Sequence, residues 1–264
     1  MQITLFTSNQ PRHISFAGKL AKIADQIFCV QECNTIFPGV VEDFFEKSEI
    51  MQHYFRSVFS AERKIFGDVR FSETKLRTLS IKMGDLAYMK PEGVLKDALK
   101  SDLYIIFGSS FIKGWLADFL VENNALNIHM GISPYYRGSS CNFWALYDNN
   151  PGYVGGTIHK LSKYLDGGDI LFHCVPDHNA FDNPFMFSMS SVEIVQDAFL
   201  NLLETGKLFN IKPMKQDRDL EIRYTKKIEF NDLVAAEFMA RDIVIKDMTF
   251  QYPKLINPYF GSQR

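Results

Sequence analysis

Leu103-Tyr104-Ile105-Ile106-Phe107, with Gly108-Ser109-Ser110 directly behind it, is the stretch that decides the fold. Five consecutive apolar residues show no alternation between a wet and a dry face, so this strand is expected to be buried, as strands of parallel sheets are. A helix over 113–123 follows the turn, making a strand–turn–helix unit. Similar units stand on either side. Upstream, residues 2–7 read as a first strand, and Ser8-Asn9-Gln10-Pro11 supply a cap and an early proline for a helix over 12–25. Residues 26–31 and 78–82 read as strands, and Pro91 opens an expected helix over 91–100. Downstream come a strand around 125–129, a Pro/Gly-rich loop, a short helix near 141–148, strands near 153–161 and 169–175, and a helix over 188–205. Strands alternating with helices predict an α/β protein: a Rossmann-like open, mainly parallel sheet with helices on both faces.

The 264 residues are 46% hydrophobic and 23% charged, which excludes disorder and collagen-like repeats. The 24 phenylalanines predict a Phe-rich core. No apolar run approaches the ~20 residues that span a bilayer, and the opening MQITLFTSNQ lacks the basic and apolar regions of a signal peptide. The four cysteines form no C-x-x-C pair, so they are expected to be reduced and mostly buried. These features predict a cytoplasmic location and no membrane partner. A net charge of −2 speaks against a nucleic-acid partner, because a protein that follows a phosphate backbone carries a basic face.

Two segments differ from the rest. Apolar residues recur at helical spacing from Val40 to Phe59, predicting a long amphipathic helix over 40–65, broken near Ser48. This stretch reads as a core-packing insertion, a homodimer face or part of a substrate pocket. Between Lys212 and Lys227 there are six basic and three acidic residues. That segment reads as a solvated loop packed on the domain, or as one that reaches substrate phosphates. The chain is accordingly divided into a main domain, 1–208, and a C-terminal extension, 209–264, packed on it.

The sequence holds no G-x-G-x-x-G, G-x-x-x-x-G-K-[ST], H-E-x-x-H or G-x-S-x-G motif, and the first βα turn lacks glycine, so no dinucleotide site is expected there. No metal is expected either, since His159, His173 and His178 lack matching ligands. One run stands apart: Asn127-Ile128-His129-Met130-Gly131-Ile132-Ser133-Pro134-Tyr135-Tyr136-Arg137-Gly138. Alternate residues of a strand project from one face, so Asn127 and His129 point together from a strand end, where open parallel sheets bind ligands. Further on, Asp166-Gly167-Gly168 places an acid in a loop whose backbone a ligand can approach closely. From the residues alone, a structural histidine with a capping asparagine, and an aspartate capping a turn, are the readings these positions favour.

Taken together, N-I-H, S-P-x-Y-R-G, G-x-T-I-H and L-D-G-G-D-I-L, in that order over residues 102–176, resemble the folate-dependent formyltransferase family. The family includes glycinamide ribonucleotide transformylase, methionyl-tRNA formyltransferase and the N-formyltransferases of nucleotide-linked amino sugars. The resemblance implies an enzyme with Asn127, His129 and Asp166 as its catalytic set. It places His159 beneath the aspartate loop and beside the substrate, with Gly155 and Thr157 in the same element. Phe111, Ile112 and Lys113, together with Leu165 and Gly167, would face the cofactor, 10-formyltetrahydrofolate. Tyr135 and Arg137 would face the acceptor, although Tyr135, like Tyr136, Phe143 and Trp144, also reads as a core aromatic. Arg137 also reads as a loop brace, since an arginine there can hold either a phosphate or a carboxylate bidentately.

Formyl transfer passes through a tetrahedral oxyanion, which needs fixed donors. The Asn127 amide and a protonated His129 are donors of the right kind, and Asp166 can orient His129 and take the amine proton. Two departures stand out. G-I-S-P replaces the family's S-L-L-P, and the first loop lacks the glycines that hold a ribonucleotide phosphate. The second speaks against a glycinamide ribonucleotide acceptor, and a slightly acidic chain with about 55 residues after the core speaks against tRNA, so a nucleotide-linked amino sugar is expected first. The alternatives are an amino-acid or tRNA acceptor, hydrolysis of 10-formyltetrahydrofolate, and a non-catalytic folate- or nucleotide-binding module.

Overall fold

The computed structural model describes residues 1–33, 35–37, 40–41, 44–67 and 75–261. In chain order the strands and helices are β1 (Gln2–Ser8), α1 (Pro11–Ile23), β2 (Gln26–Cys33), β3 (Thr35–Phe37), β4 (Val40–Val41), α2 (Glu49–Phe66), β5 (Leu76–Lys82), β6 (Leu103–Phe107), α3 (Gly114–Glu122) and β7 (Leu126–His129). They continue with β8 (Tyr136–Gly138), α4 (Cys141–Tyr147), β9 (Gly156–Lys160), β10 (Ile170–Val175), α5 (Pro184–Glu204), β11 (Arg223–Thr225), α6 (Asp232–Ala240) and β12 (Tyr259–Phe260). Eight strands form one sheet in the order β12-β10-β9-β7-β6-β1-β2-β5. The β1–β2, β1–β6, β2–β5, β6–β7 and β10–β12 pairings are parallel. The α/β, mainly parallel sheet read from the sequence is the sheet observed.

The chain divides into two compact units. The first comprises the described residues of 1–42, 68–128 and 159–168. Its centre is β6, all five residues of which are buried. Register fixes the neighbours: Ile3 lies opposite Leu103, and Ile106 opposite Asn127. Tyr104 and Ile106 join Phe6, Val30, Leu116 and Leu120 in one apolar cluster. Non-local pairing and shared burial, rather than propensity, hold these short strands. The helix expected over 91–100 is instead a series of turns ending in a 3₁₀ turn, Ala98–Lys100. Leu95 and Ala98 of that segment are buried and Leu99 packs partly on the core, one turn's worth of apolar face, and Gly93 weakens any longer helix.

The second unit comprises the described residues of 43–67, 129–158 and 169–264. It carries the phenylalanines foreseen for the core. Tyr54 of α2 meets Phe143, Phe185 and Phe230 with ring centroids 5.8, 5.2 and 4.9 Å apart. Ser48 caps α2, accepting from the Met51 amide at 3.2 Å, so the helix expected over 40–65 starts only after Ser48; before it, Val40–Val41 are strand and Phe44–Glu46 a 3₁₀ turn. Pro38-Gly39, Glu42 and Asp43 lie outside the described residues. Helix α2 packs on α5 and α6, which is the core-packing reading of this stretch. Helix α5 begins four residues before its expected start. Asn183 caps it by accepting from Phe185 and Met186, and Pro184 occupies its first turn. The four cysteines are unbonded thiols, three of them buried. Among the described residues no helix is long and apolar enough to cross a membrane.

Candidate active site

In the first unit, Asn127 is the second residue of β7, where β6 and β7 run side by side. His159 is the fourth residue of β9 and is almost fully buried, 1% exposed. Its Nδ1 lies 2.8 Å from the carbonyl oxygen of Lys160. A carbonyl only accepts, so Nδ1 carries the proton, and in the neutral ring Nε2 is the acceptor. The Asn127 amide nitrogen, 3.0 Å away, donates to it. The asparagine side chain is thereby oriented, with one N–H engaged by His159. The same Nε2 lies 4.0 Å from Asp166 Oδ1. The structure thus gathers Asn127, His159 and Asp166 into one polar group.

Asp166 sits in the turn after β9, between Leu161 and Gly168. Its φ of +47° is in the left-handed region, which a residue with a Cβ adopts at a cost of about 1 kcal/mol or more. The side chain is buried, not waving in solvent. Two contacts hold the turn: Gly167 N–H donates to Tyr164 O at 3.2 Å, and Leu161 N–H donates to Ala125 O at 2.7 Å. Gly168 is required by close approach, since a Cβ there would overlap the Lys160 carbonyl oxygen. Leu165 remains 38% exposed beside the aspartate. The loop after β6 leaves Phe111 half exposed, with the Lys113 ammonium 5.6 Å from its ring centroid. Ile112 turns inward onto the cluster that also receives Leu161.

The second unit holds the loop that follows β7. His129 is buried, with Nε2 3.4 Å from the Tyr136 carbonyl oxygen. Gly131 leaves room for that ring, because a side chain there would collide with Cys141 Cβ and crowd His129 Nε2. This is the physical content of glycine in G-I-S-P. Thr157 donates to Gly131 O at 2.6 Å and accepts from Ser133 N–H at 2.9 Å. His173 donates from Nε2 to Ser133 O at 2.9 Å and accepts at Nδ1 from Ile256 N–H, also at 2.9 Å. Burial pushes the His173 pKa down to about 4, so the ring stays neutral in this bridge.

Tyr135 and Arg137, foreseen beside the acceptor, are both buried in this unit. The Tyr135 hydroxyl donates to Lys254 O at 3.2 Å. The Arg137 guanidinium donates to Glu221 at 2.7 Å and lies 5.8 Å from the Tyr224 ring centroid, which is the loop-bracing arrangement. Of the basic residues between 212 and 227, Arg223 forms a bidentate pair with Asp148 at 2.8 and 2.6 Å, and β11 pairs with β8. Sequence reading missed His173 as a brace, having weighed it only as a metal ligand. It also missed Glu32, a carboxylate buried near the end of β2, although an acid near the end of an apolar strand was the available signal.

No protein-family model and no curated protein matches the chain. Solved structures do. A 4-N formyltransferase from Francisella tularensis superposes with a TM-score of 0.55 at 16% identity, over 98% of this chain and 91% of that one. The formyltransferase PseJ from Anoxybacillus kamchatkensis, solved with UDP-4,6-dideoxy-4-formamido-L-AltNAc and tetrahydrofolate, gives 0.53 at 12% identity, over 93% and 96%. The fold is that of the formyltransferases. Phosphoribosylglycinamide formyltransferase from Anaplasma phagocytophilum shares it with a TM-score of 0.51 at 16% identity, over 86% of this chain and 95% of that one. At such identities the formyltransferase fold is the shared property, and chemistry rests on the residues above.

Proposed function

We propose that this chain is a formyltransferase that moves the formyl group of 10-formyltetrahydrofolate to a primary amine of a nucleotide-linked amino sugar. The observation that carries the proposal is the meeting of Asn127, His159 and Asp166, with the aspartate held in a left-handed turn. Backbone strain maintained at a buried carboxylate is a mark of functional sites. That the chain takes the formyltransferase fold, and that PseJ was solved with tetrahydrofolate and a formamido sugar nucleotide, supports the choice of substrates.

The surfaces fit a folate. A flat heterocycle wants apolar and aromatic contacts next to a few fixed polar groups; the half-exposed Phe111, Leu165 and the oriented Asn127 amide offer those. The folate supplies the activated one-carbon unit. The chain's own residues do the rest. Asn127 presents its remaining amide N–H as a preset donor for the oxyanion, with His129 as the second donor. Asp166 accepts the proton released by the acceptor amine. His159, inaccessible and bonded on both nitrogens, acts here as a positioning residue that fixes the Asn127 amide and faces Asp166, with no role in holding substrate.

The test is incubation of the purified protein with 10-formyltetrahydrofolate and a panel of nucleotide-linked aminodeoxysugars, followed by mass spectrometry. The expected result is gain of one formyl group by at least one sugar. Formyl gain only by amino acids or tRNA, or formate release without any amine, would replace the sugar by that acceptor or by water. Tight folate binding with no formyl loss under any of these conditions would overturn the enzymatic reading.

A further inference from the structure

Glu32 is the last but one residue of β2 and is fully buried, 0% exposed. A buried carboxylate is costly unless its oxygens are well supplied with donors. Here three reach it. Gly84 N–H, in the turn after β5, donates to Oε1 at 2.9 Å. From the loop after β6, Ser110 donates twice, its N–H to Oε2 at 2.5 Å and its hydroxyl to Oε1 at 2.7 Å. No other charged side chain in the first unit ties two loops to one strand end in this way among the interactions described. Ser110 is the residue directly before Phe111, Ile112 and Lys113.

We infer that Glu32 is a positioning residue for the folate-facing loop: it anchors Ser110 so that Phe111 and Lys113 are presented outward while Ile112 packs inward. The inference rests on the formyl-transfer reading and assigns folate affinity, as distinct from acceptor affinity, to a carboxylate outside every motif that marks the site. Between β6 and α3 the loop has no helical or strand bonding of its own. Its shape depends on what grips it, and charge-assisted bonds to a buried carboxylate are the strong kind.

Glu32→Gln tests this with almost no change of volume. Whichever way the amide is turned, its NH₂ group faces one backbone N–H, that of Gly84 or that of Ser110, so one of the two main-chain bonds is lost. Thr4→Val is the control. Thr4 is equally buried and donates to Ala98 O at 2.5 Å, with Ser101 Oγ at 2.8 Å, away from the loop after β6. The readouts are Kd for 5-formyltetrahydrofolate by calorimetry, KM for each co-substrate, and hydrogen exchange at the Ser110 amide.

We expect Glu32→Gln to weaken folate binding about tenfold, the effect of one lost charge-assisted bond, and to raise the KM for 10-formyltetrahydrofolate in parallel. The KM for the amine and kcat should stay within about threefold, and Ser110 should exchange faster. Thr4→Val should leave folate affinity unchanged. Should Glu32→Gln not fold, Ser110→Ala removes only the hydroxyl bond and should weaken folate about threefold. An unchanged folate Kd in the folded variant, or an equal loss in Thr4→Val, overturns the role of Glu32. Wild-type protein that binds no folate overturns the formyl-transfer reading itself, and this inference with it.

Discussion

Two loops at strand ends are built in opposite ways. The turn over 161–168, in the first unit, concentrates irregularity: a non-glycine residue at positive φ, a glycine pressed against a carbonyl oxygen, and an exposed Leu165 beside a buried carboxylate. The loop over 131–138, in the second unit, has a close approach of its own, Gly138 at a φ of +91° against the Thr225 carbonyl oxygen, but no non-glycine residue at positive φ. Its backbone is held by Thr157 on one side and His173 on the other, and Tyr135 and Arg137 are buried and bonded. On the proposed function, the difference separates chemistry from support: the non-glycine residue held at positive φ is the carboxylate assigned to proton transfer, and the matched hydrogen bonds lie in the frame.

The sharpest way to break that division is to remove the carboxylate from the strained turn. Asp166→Ala is expected to lower turnover about 10³-fold while the melting temperature moves by only a few degrees. A large loss of stability with retained turnover would make the turn a frame after all. Asn127→Ala comes next, with an expected loss of about 10²-fold or more in kcat and little change in KM, as for a donor acting mainly in the transition state. Steady-state kinetics on both variants decides the matter.

The loop over 131–138 is probed through its braces. Thr157→Val keeps the shape of the side chain and deletes two buried bonds, leaving Gly131 O and Ser133 N–H without them. We expect about 2–4 kcal/mol of destabilisation in chemical denaturation, from one unsatisfied acceptor and one unsatisfied donor. A loss below about 0.5 kcal/mol would mean that the loop holds itself. One further effect needs no change at the loop itself and is one of pH. The folded-state pKa of His173 is about 4, against about 6.5 when unfolded. Between those values the unfolded chain binds a proton that the native ring refuses, so stability falls as pH drops from 6.5 to 4 and this contribution levels off below 4. The slope from this residue is about 1.4 kcal/mol per pH unit. His13, whose pKa burial also holds well below the usual range, adds in the same direction. Denaturation profiles of wild type and His173→Gln across this range should differ in slope; parallel profiles would remove His173 from the account.

Much of this was legible in the residues. An apolar run such as 103–107 reads as a covered strand, and G-x-T-I-H with D-G-G pointed to His159 beneath the Asp166 loop, where it stands; the set read as catalytic was Asn127, His129 and Asp166, and the Asn127–His159 bond was not foreseen. What escaped was non-local. Strand β11 is three residues long and exists because Ile222 and Arg223 N–H groups donate to Tyr135 O across more than eighty residues. Nothing in R-Y-T announces a strand. Arg137 offered both a phosphate and a carboxylate role, and only Glu221, far along the chain, shows which partner it has here. The start of α5 was written in Asn183-Pro184, a cap and a first-turn proline that outrank the apolar periodicity that suggested residue 188.

The pairing of β8 with β11 carries a practical lesson about trimming this molecule. Cutting after Glu204 would strip Asp148 of its arginine, deprive Ile170 of its backbone partner Met214 and leave His173 Nδ1 without the Ile256 amide. Asn257, whose amide reaches Leu171 O at 2.8 Å, would be gone as well. A minimal fragment meant for crystallography or engineering should therefore run at least to Gly261, which keeps β12 paired with β10 and the Gly261 N–H bonded to Val175 O, because the tail is woven into the scaffold it follows.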